Sequence, residues 1–261
     1  MAITIDIDAH IAVVRLARPD KMNALNPDMF DRLIAAGDEL RARSDIRCIV
    51  LAGEGRAFCA GIDRQRFSGT GAPPPLSPRT HGLANLPQMV ALQWRDLAPP
   101  VIAAVHGVAF GAGFQLALGA DMRYAAPDTK MSLMEVEWGL VPDMGGTVLM
   151  SALVGEDVAR ELTYCATVFS GAEAKEYGLV TRVMDDPFAA AMKKAQEIAS
   201  KSPSAVQQAK RLFNRRLTPF LESGLLAESL ARDALVTHPN QREAAEARLA
   251  GRQPRFIDPA R

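Results

Sequence analysis

The sequence predicts an α/β core followed by a purely helical C-terminal part. Strand-like and helix-like periodicities alternate up to about residue 183, and every segment from Pro187 onward has helical periodicity alone. Two apolar runs end in glycine turns that lead toward helices. With 261 residues, 48% of them apolar, the chain can bury one large core or a core with a helical appendage. The expected division is a core at 1–200 and a helical region at 201–261.

Residues 2–16 alternate apolar and polar around Asp6–Ala9, predicting an opening pair of strands. Asn26 and Pro27 have the residue types of a helix cap and first helical position; Met29, Phe30, Leu33, Ile34 and Leu40 supply the apolar stripe. "IRCIVLAG" reads as a buried strand ending at Gly53. Residues 67–82, rich in Gly, Pro and Ser, read as a mobile surface loop, followed by a helix at about 83–97. The strand "PPVIAAVHG" leads into the glycine segment. A strand-like "RYAAPDTKMSL" comes next, then a short helix capped by Ser170 and a further strand. Helices are expected at 187–201, 203–215, 218–236 and 239–250, with enough apolar surface to require packing on the core or on a neighbouring subunit.

Thirty basic residues balance thirty acidic ones, so no global field recruits nucleic acid or an anionic membrane. Cys48, Cys59 and Cys165 are odd in number and far apart, and are expected to be buried thiols. The N-terminal residues alternate like a strand, unlike a signal peptide, and no segment is long and apolar enough to span a bilayer. A soluble, cytoplasmic protein is expected.

The segment "HGVAFGAGFQLALGAD" (106–121) carries Gly107, Gly111 and Gly113 between two apolar runs. It lacks the Lys-Ser/Thr of a phosphate-binding loop and the third glycine of a dinucleotide fingerprint. What remains is a strand, a glycine turn and a helix whose first amides have no internal partner and favour negative charge. No cation lies within 107–120, which suits a transient oxyanion better than a permanent phosphate. A plain strand–helix corner is the other reading. A second turn, "GRAFCAGID" (55–63), has the same form, so two turns can each offer an amide to one carbonyl. Asp63 then either acts in the chemistry or caps the helix expected at "DRQRF".

These segments, with "ARPDKMNAL" (17–25), "EWGLVPDMGGT" (137–147), "FSGAEAKEYGLVTRV" (169–183) and "KSPSAVQQAK" (201–210), resemble the crotonase (enoyl-CoA hydratase/isomerase) superfamily along essentially the whole chain. The resemblance implies a spiral of ββα units and a coenzyme A thioester substrate with no prosthetic group or metal. It also implies a homotrimer, or a dimer of trimers, held by the C-terminal helices. Carried over by position, the oxyanion amides fall on Ile62 and Ala112, with the glycines letting backbone approach the thioester oxygen. The substrate-binding positions are Lys21, Met22, Ala60, Gly61, Asp63, Gly111 and Trp138. Lys21, and more weakly Arg252 reaching into a neighbour, are the cations for phosphate; a solvated surface charge is the alternative for each.

The catalytic positions depart from the hydratase pattern of two glutamates. They fall on Gln115 and Glu135, and an amide cannot exchange a proton near neutral pH. Asp143, eight residues after Glu135, stands where dienoyl-CoA isomerases of the family have an acidic partner. It is either that partner or a turn residue after Pro142. Phe110, Trp138 and Leu140 around Glu135 would raise its pKa by desolvation, and Glu137 is expected to be structural or exposed. The preferred reading is double-bond isomerisation of an enoyl- or dienoyl-CoA through a thioester enolate, with Glu135 as acid/base. Hydration of a 2-enoyl-CoA, as in fatty-acid oxidation, and non-catalytic acyl-CoA binding are the alternatives. A Ser-His-Asp peptidase on a related spiral is excluded because 107–120 holds no serine.

Overall fold

The computed structural model describes residues 2–63 and 74–258. Strands β1 (Ile3–Asp8) and β2 (Ile11–Leu16) form an antiparallel hairpin. Its two-residue turn is Ala9-His10, with φ of 45° and 69°, so the first strand runs on through Asp8. Two successive positive φ values give the turn the twist that hairpin strands require. From β2 onward all pairing in the sheet is parallel, through β3 (Cys48–Gly53), β4 (Val101–Val105), β6 (Met122–Ala125) and β8 (Arg182–Val183). The six-stranded order is β1-β2-β3-β4-β6-β8. Strands covered on both faces read as continuous apolar runs, which is why "CIVLAG" and "VIAAV" lack alternation.

One face of the sheet packs against α1 (Pro27–Arg41), α2 (Leu86–Asp96) and α3 (Ala112–Leu118) in the main core. The other face is covered by α7 (Pro187–Ala199), whose Ala191 and Ala195 let it lie close over Val50, Ile102 and Tyr124. Asn26 caps α1 by accepting from Met29 N at 3.0 Å. Ser170 and Glu173 form a reciprocal capping box on α6 (Gly171–Tyr177).

A second, two-stranded sheet joins β5 (Val108–Phe110) to β7 (Lys130–Ser132). The expected single strand at "RYAAPDTKMSL" is therefore two: β6 stays in the large sheet, and past Pro127 the chain crosses to the small one. Helices α4 (Gly146–Ser151) and α5 (Glu156–Tyr164) complete this region. Cys48 and Cys59 are buried, and burial pushes both thiols up to about 12. Cys165 departs from expectation and is exposed, because it ends α5, a helix with only Leu162 buried.

The C-terminal helices are α8 (Pro203–Asn214), α9 (Thr218–Leu235) and α10 (Pro239–Ala250). α9 packs on α4, and α10 on the 3-10 turn Glu135–Trp138, all within the same chain. Their outer faces leave Leu212, Phe213, Phe220, Leu226, Leu230 and Leu249 exposed. The helix expected at "DRQRF" lies outside the described residues beyond Asp63, as does 67–73 of the proline loop. The described part, 74–82, is anchored rather than loose: Leu76 N and Ser77 N donate to the Asp233 carboxylate at 2.7–3.0 Å. Among the described residues no helix is long and apolar enough to cross a membrane, and no side-chain cluster could hold a metal ion.

Candidate active site

Beyond β3 and β4 the two glycine turns are stitched to each other. Cys59 N donates to Val108 O at 3.0 Å and Phe110 N to Cys59 O at 3.1 Å, making a parallel bridge between Cys59 and Ala109. Ile62 and Ala112 each lie three residues past that bridge. Leu25 N donates to Gly61 O and Asp63 N to Leu25 O, so Ile62, at the centre of this second bridge, turns its own N–H away from the 19–25 segment. Ala112 is the first residue of α3, where an N–H has no partner within the helix. Among the described residues, neither amide donates a backbone hydrogen bond outside helices and strands.

Two of the glycines, Gly107 and Gly113, serve the junction between the turns. A Cβ on Gly107 would meet Arg56 O at 2.0 Å, and one on Gly113 would meet Cys59 O at 2.3 Å. What the backbone must approach is the other turn. Gly61 has a φ of 94°, and a Cβ there would lie 2.7 Å from Phe110 O. Gly61→Ala is therefore expected to spread the two turns. Turnover on an acyl-CoA substrate should fall at least tenfold, with a loss of about 1–3 kcal/mol in urea denaturation. Unchanged turnover would show that the spacing of the turns does not matter.

A cavity of about 610 Å³ opens between these turns and the segment after β7, a volume suited to a small-molecule substrate. Lys21, Met22, Ala60, Gly61, Ile62 and Asp63 line one side. Phe110, Gly111, Ala112, Glu135, Trp138, Leu140 and Asp143 line the other. Every residue singled out above as catalytic, oxyanion-forming or substrate-binding thus borders one space, except Gln115 and Arg252. Lys21 sits exposed on a 3-10 turn at the rim. Asp63, read as a cap, accepts from Arg18 Nη2 at 3.1 Å, and Arg18 Nη1 also holds Ala24 O at 2.6 Å. Arg252 is engaged within its own chain by both oxygens of Glu243, at 2.6 and 2.9 Å.

Gln115 is fully buried beneath the cavity. Its Oε1 accepts from Met144 N and Gly146 N, both at 3.0 Å, which leaves the amide nitrogen facing Glu135. Nε2 donates to Glu135 Oε1 at 2.7 Å. The other carboxyl oxygen of Glu135, Oε2, is buried with no protein partner. Desolvation, reinforced by the negative charge of Asp143, pushes the Glu135 carboxyl up to about 8. Glu137 is exposed and pairs with Arg248 of α10, whose guanidinium also lies 5.4 Å from the centre of the Trp138 ring.

Several residues around the site were not singled out by the sequence. Arg248 lines the cavity. Asn23, fully buried, donates to Glu54 O and Ala57 O at 2.9 and 2.8 Å and accepts from Arg18 N at 2.8 Å, fastening the rim to the first glycine turn. Glu228, on α9, accepts from Gly145 N at 2.8 Å and Thr147 N at 2.9 Å. Gln115 and Glu228 together hold four consecutive amides, Met144 to Thr147, directly after Asp143. Arg232, one turn along α9, brings its Nε to 3.8 Å from Asp143 Oδ2. The sequence signal for Glu228 and Arg232 was their place on the helix face that also carries buried Leu225.

A family model described as Enoyl-CoA hydratase/isomerase matches residues 6–259. The chain belongs to the enoyl-CoA hydratase/isomerase family. It is 32% identical to the 1,2-epoxyphenylacetyl-CoA isomerase of Escherichia coli over 262 residues, covering 96% of each chain. It is 31% identical to the (E)-benzylidenesuccinyl-CoA hydratase of Thauera aromatica over 264 residues, covering 98% of this chain and 99% of that one. The crystal structure of an enoyl-CoA hydratase/isomerase from Pseudoalteromonas atlantica superposes with a TM-score of 0.87 at 24% identity, covering 98% of this chain and all of that one. The fold is thus the crotonase fold, and the chain is an acyl-CoA enzyme of the hydratase/isomerase family, whose members act on coenzyme A thioesters without a prosthetic group.

Proposed function

We propose that this enoyl-CoA hydratase/isomerase family member moves a carbon–carbon double bond within an enoyl- or dienoyl-CoA thioester. The observation that carries the reading is the set of bonds made by Gln115. Its carbonyl is taken by two backbone amides, its amide group donates to Glu135, and the side chain does not border the cavity. The hydratase pattern of the family puts its second glutamate at the position of Gln115, which can neither exchange a proton nor reach the cavity. Isomerisation consumes no water, only a proton removed from one carbon and returned to another.

In this reading the thioester oxygen lies against the Ile62 and Ala112 amides. A proton leaves the carbon next to the carbonyl, and the electron pair of that C–H bond passes into an enolate whose charge the two amides take up. The proton is returned at the far end of the conjugated system, shifting the double bond with no change in composition. Glu135 is the main exchanging group, and Asp143 on the same wall is the second. Their neighbouring charges resist simultaneous ionisation, so the pair holds one proton near neutral pH and titrates as a unit. Lys21 and Met22 at the rim, with Ala60, Gly61 and Asp63, take the coenzyme A portion; Gly111 and Trp138 border the acyl portion. The exposed apolar residues on α8, α9 and α10 support a trimer, or two trimers paired, and the three free thiols fit a cytoplasmic setting.

Parallel assays on one preparation test the reaction. With 3-enoyl- and 3,5-dienoyl-CoA substrates, isomerisation is expected to exceed hydration of crotonyl-CoA by at least tenfold in kcat/KM. Faster hydration, abolished in Glu135→Gln, would replace isomerisation with water addition.

A further inference from the structure

We propose that Arg232 of α9 is a positioning residue for the site: it holds Asp143 against the cavity wall as a carboxylate, making Asp143 the proton-accepting member of the Glu135–Asp143 pair. The inference rests on the isomerase reading and adds an assignment of roles within it.

Arg232 is almost fully buried, at 5% exposure. A guanidinium there needs its donors met by acceptors. Nη1 donates to Pro74 O at 3.0 Å and to Asp233 Oδ1 at 3.2 Å. Asp233, whose two oxygens also accept from Leu76 N and Ser77 N at 2.7–3.0 Å, shares the guanidinium charge with Asp143. Nε is buried, without a hydrogen bond, and 3.8 Å from Asp143 Oδ2. A movement of Asp143 by roughly 1 Å completes a charge-assisted hydrogen bond. The segment following Asp143 does not drift, since Gln115 and Glu228 hold its next four amides.

The surrounding charges agree with that division of roles. Asp143 faces Glu135 on the 3-10 turn and Arg232 on α9; Arg248 of α10 borders the same cavity but is committed to Glu137. Glu228, the other buried carboxyl of α9, is engaged by Gly145, Thr147 and Gln88. Among the described residues no cation pairs with Glu135, whose donors are the neutral Gln115 amide and its own backbone N–H. One carboxylate of the pair therefore has a cation beside it and the other does not. The negative charge rests on Asp143 and the shared proton on Glu135, whose bare Oε2 is the oxygen to deliver it.

The test is carboxyl ¹³C NMR titration of Asp143 in the free protein, its signal assigned by loss in Asp143→Asn, alongside the pH profile of kcat/KM. In the parent protein Asp143 should titrate below an ordinary aspartate, about 3.9. In Arg232→Gln its titration and the acidic limb of kcat/KM should both move up by at least one pH unit, with KM within a factor of three. Arg232→Lys should restore most of both. A merely structural arginine would alter yield or Tm and leave the titration in place. Superimposable Asp143 titrations in parent and Arg232→Gln would overturn the proposal. If Arg232→Gln fails to fold, an ordinary or raised Asp143 titration in the parent overturns it alone. An Asp143 titration that moves as expected, in a protein that turns over no enoyl thioester, supports the ion pair and removes the isomerase reading instead.

Discussion

Glu135→Gln is expected to lower turnover by about three orders of magnitude and at the same time to make the protein more stable at alkaline pH. The first effect follows from removing the group proposed above as the main proton exchanger, for which losses of roughly 10²–10⁴ are usual. The second follows from the carboxyl being pushed from 4.5 up to about 8 by burial and by the charge of Asp143. Between those two values the folded chain keeps a proton that the unfolded chain has released. Stability therefore falls as pH rises through that window, and the full cost is present above the folded value. Glutamine keeps an acceptor for Gln115 Nε2 and has no charge to lose. Its Tm should exceed that of the parent by about 5–10 °C at pH 8, and by no more than about 2 °C at pH 5. Scanning calorimetry at the two pH values checks this, and an equal difference at both would show that Glu135 ionises freely in the folded protein.

Glu228→Ala is expected to be the most destabilising polar substitution around the site. The Glu228 carboxylate accepts from Gly145 N, Thr147 N, Thr147 Oγ1 and Gln88 Nε2 at 2.5–3.3 Å, and alanine leaves all four donors without it. Stranding buried donors in this way costs about 3–5 kcal/mol. Urea unfolding should register that loss, and turnover should fall because the segment after Asp143 loses half of its fastening. Glu228→Gln keeps one acceptor oxygen and should recover part of both. Burial raises the Glu228 carboxyl as well, so its ionisation opposes folding as pH rises. The cost of Glu228→Ala should accordingly be larger at pH 5 than at pH 8. A loss under 1 kcal/mol at both pH values would mean that water replaces the carboxylate without difficulty.

Much of the helical C-terminal part was legible because its helices announce their starts. Pro187, Pro203 and Pro239 each occupy the first helical position, and the observed helices begin at those residues. The parallel strands were legible as apolar runs. Strand β5 was not, since three residues inside a glycine segment show no periodicity. Helix α4 was hidden because it opens on Gly145-Gly146, a pair that reads as a turn and whose amides are satisfied by side chains from α3 and α9. The cavity residues emerged from motif positions, because both glycine turns and the Glu135 turn have local signatures. Glu228 and Arg232 did not, because on paper a charged residue in a helix is solvated, and only tertiary packing turns these two inward. The role of Gln115 was half legible. Its type ruled out proton exchange, whereas the two amides that claim its carbonyl lie 29 and 31 residues downstream.

The clasp on residues 144–147 also bears on the order in which the protein matures. Gly145 and Thr147 find their acceptor 83 and 81 residues further along, on the penultimate helix. During synthesis the residues of both glycine turns leave the ribosome before Glu228, so the fastening of 144–147 is completed only after that helix emerges. In the proposed reading, the amides that receive the thioester oxygen are therefore synthesised before the helix that steadies the neighbouring acid.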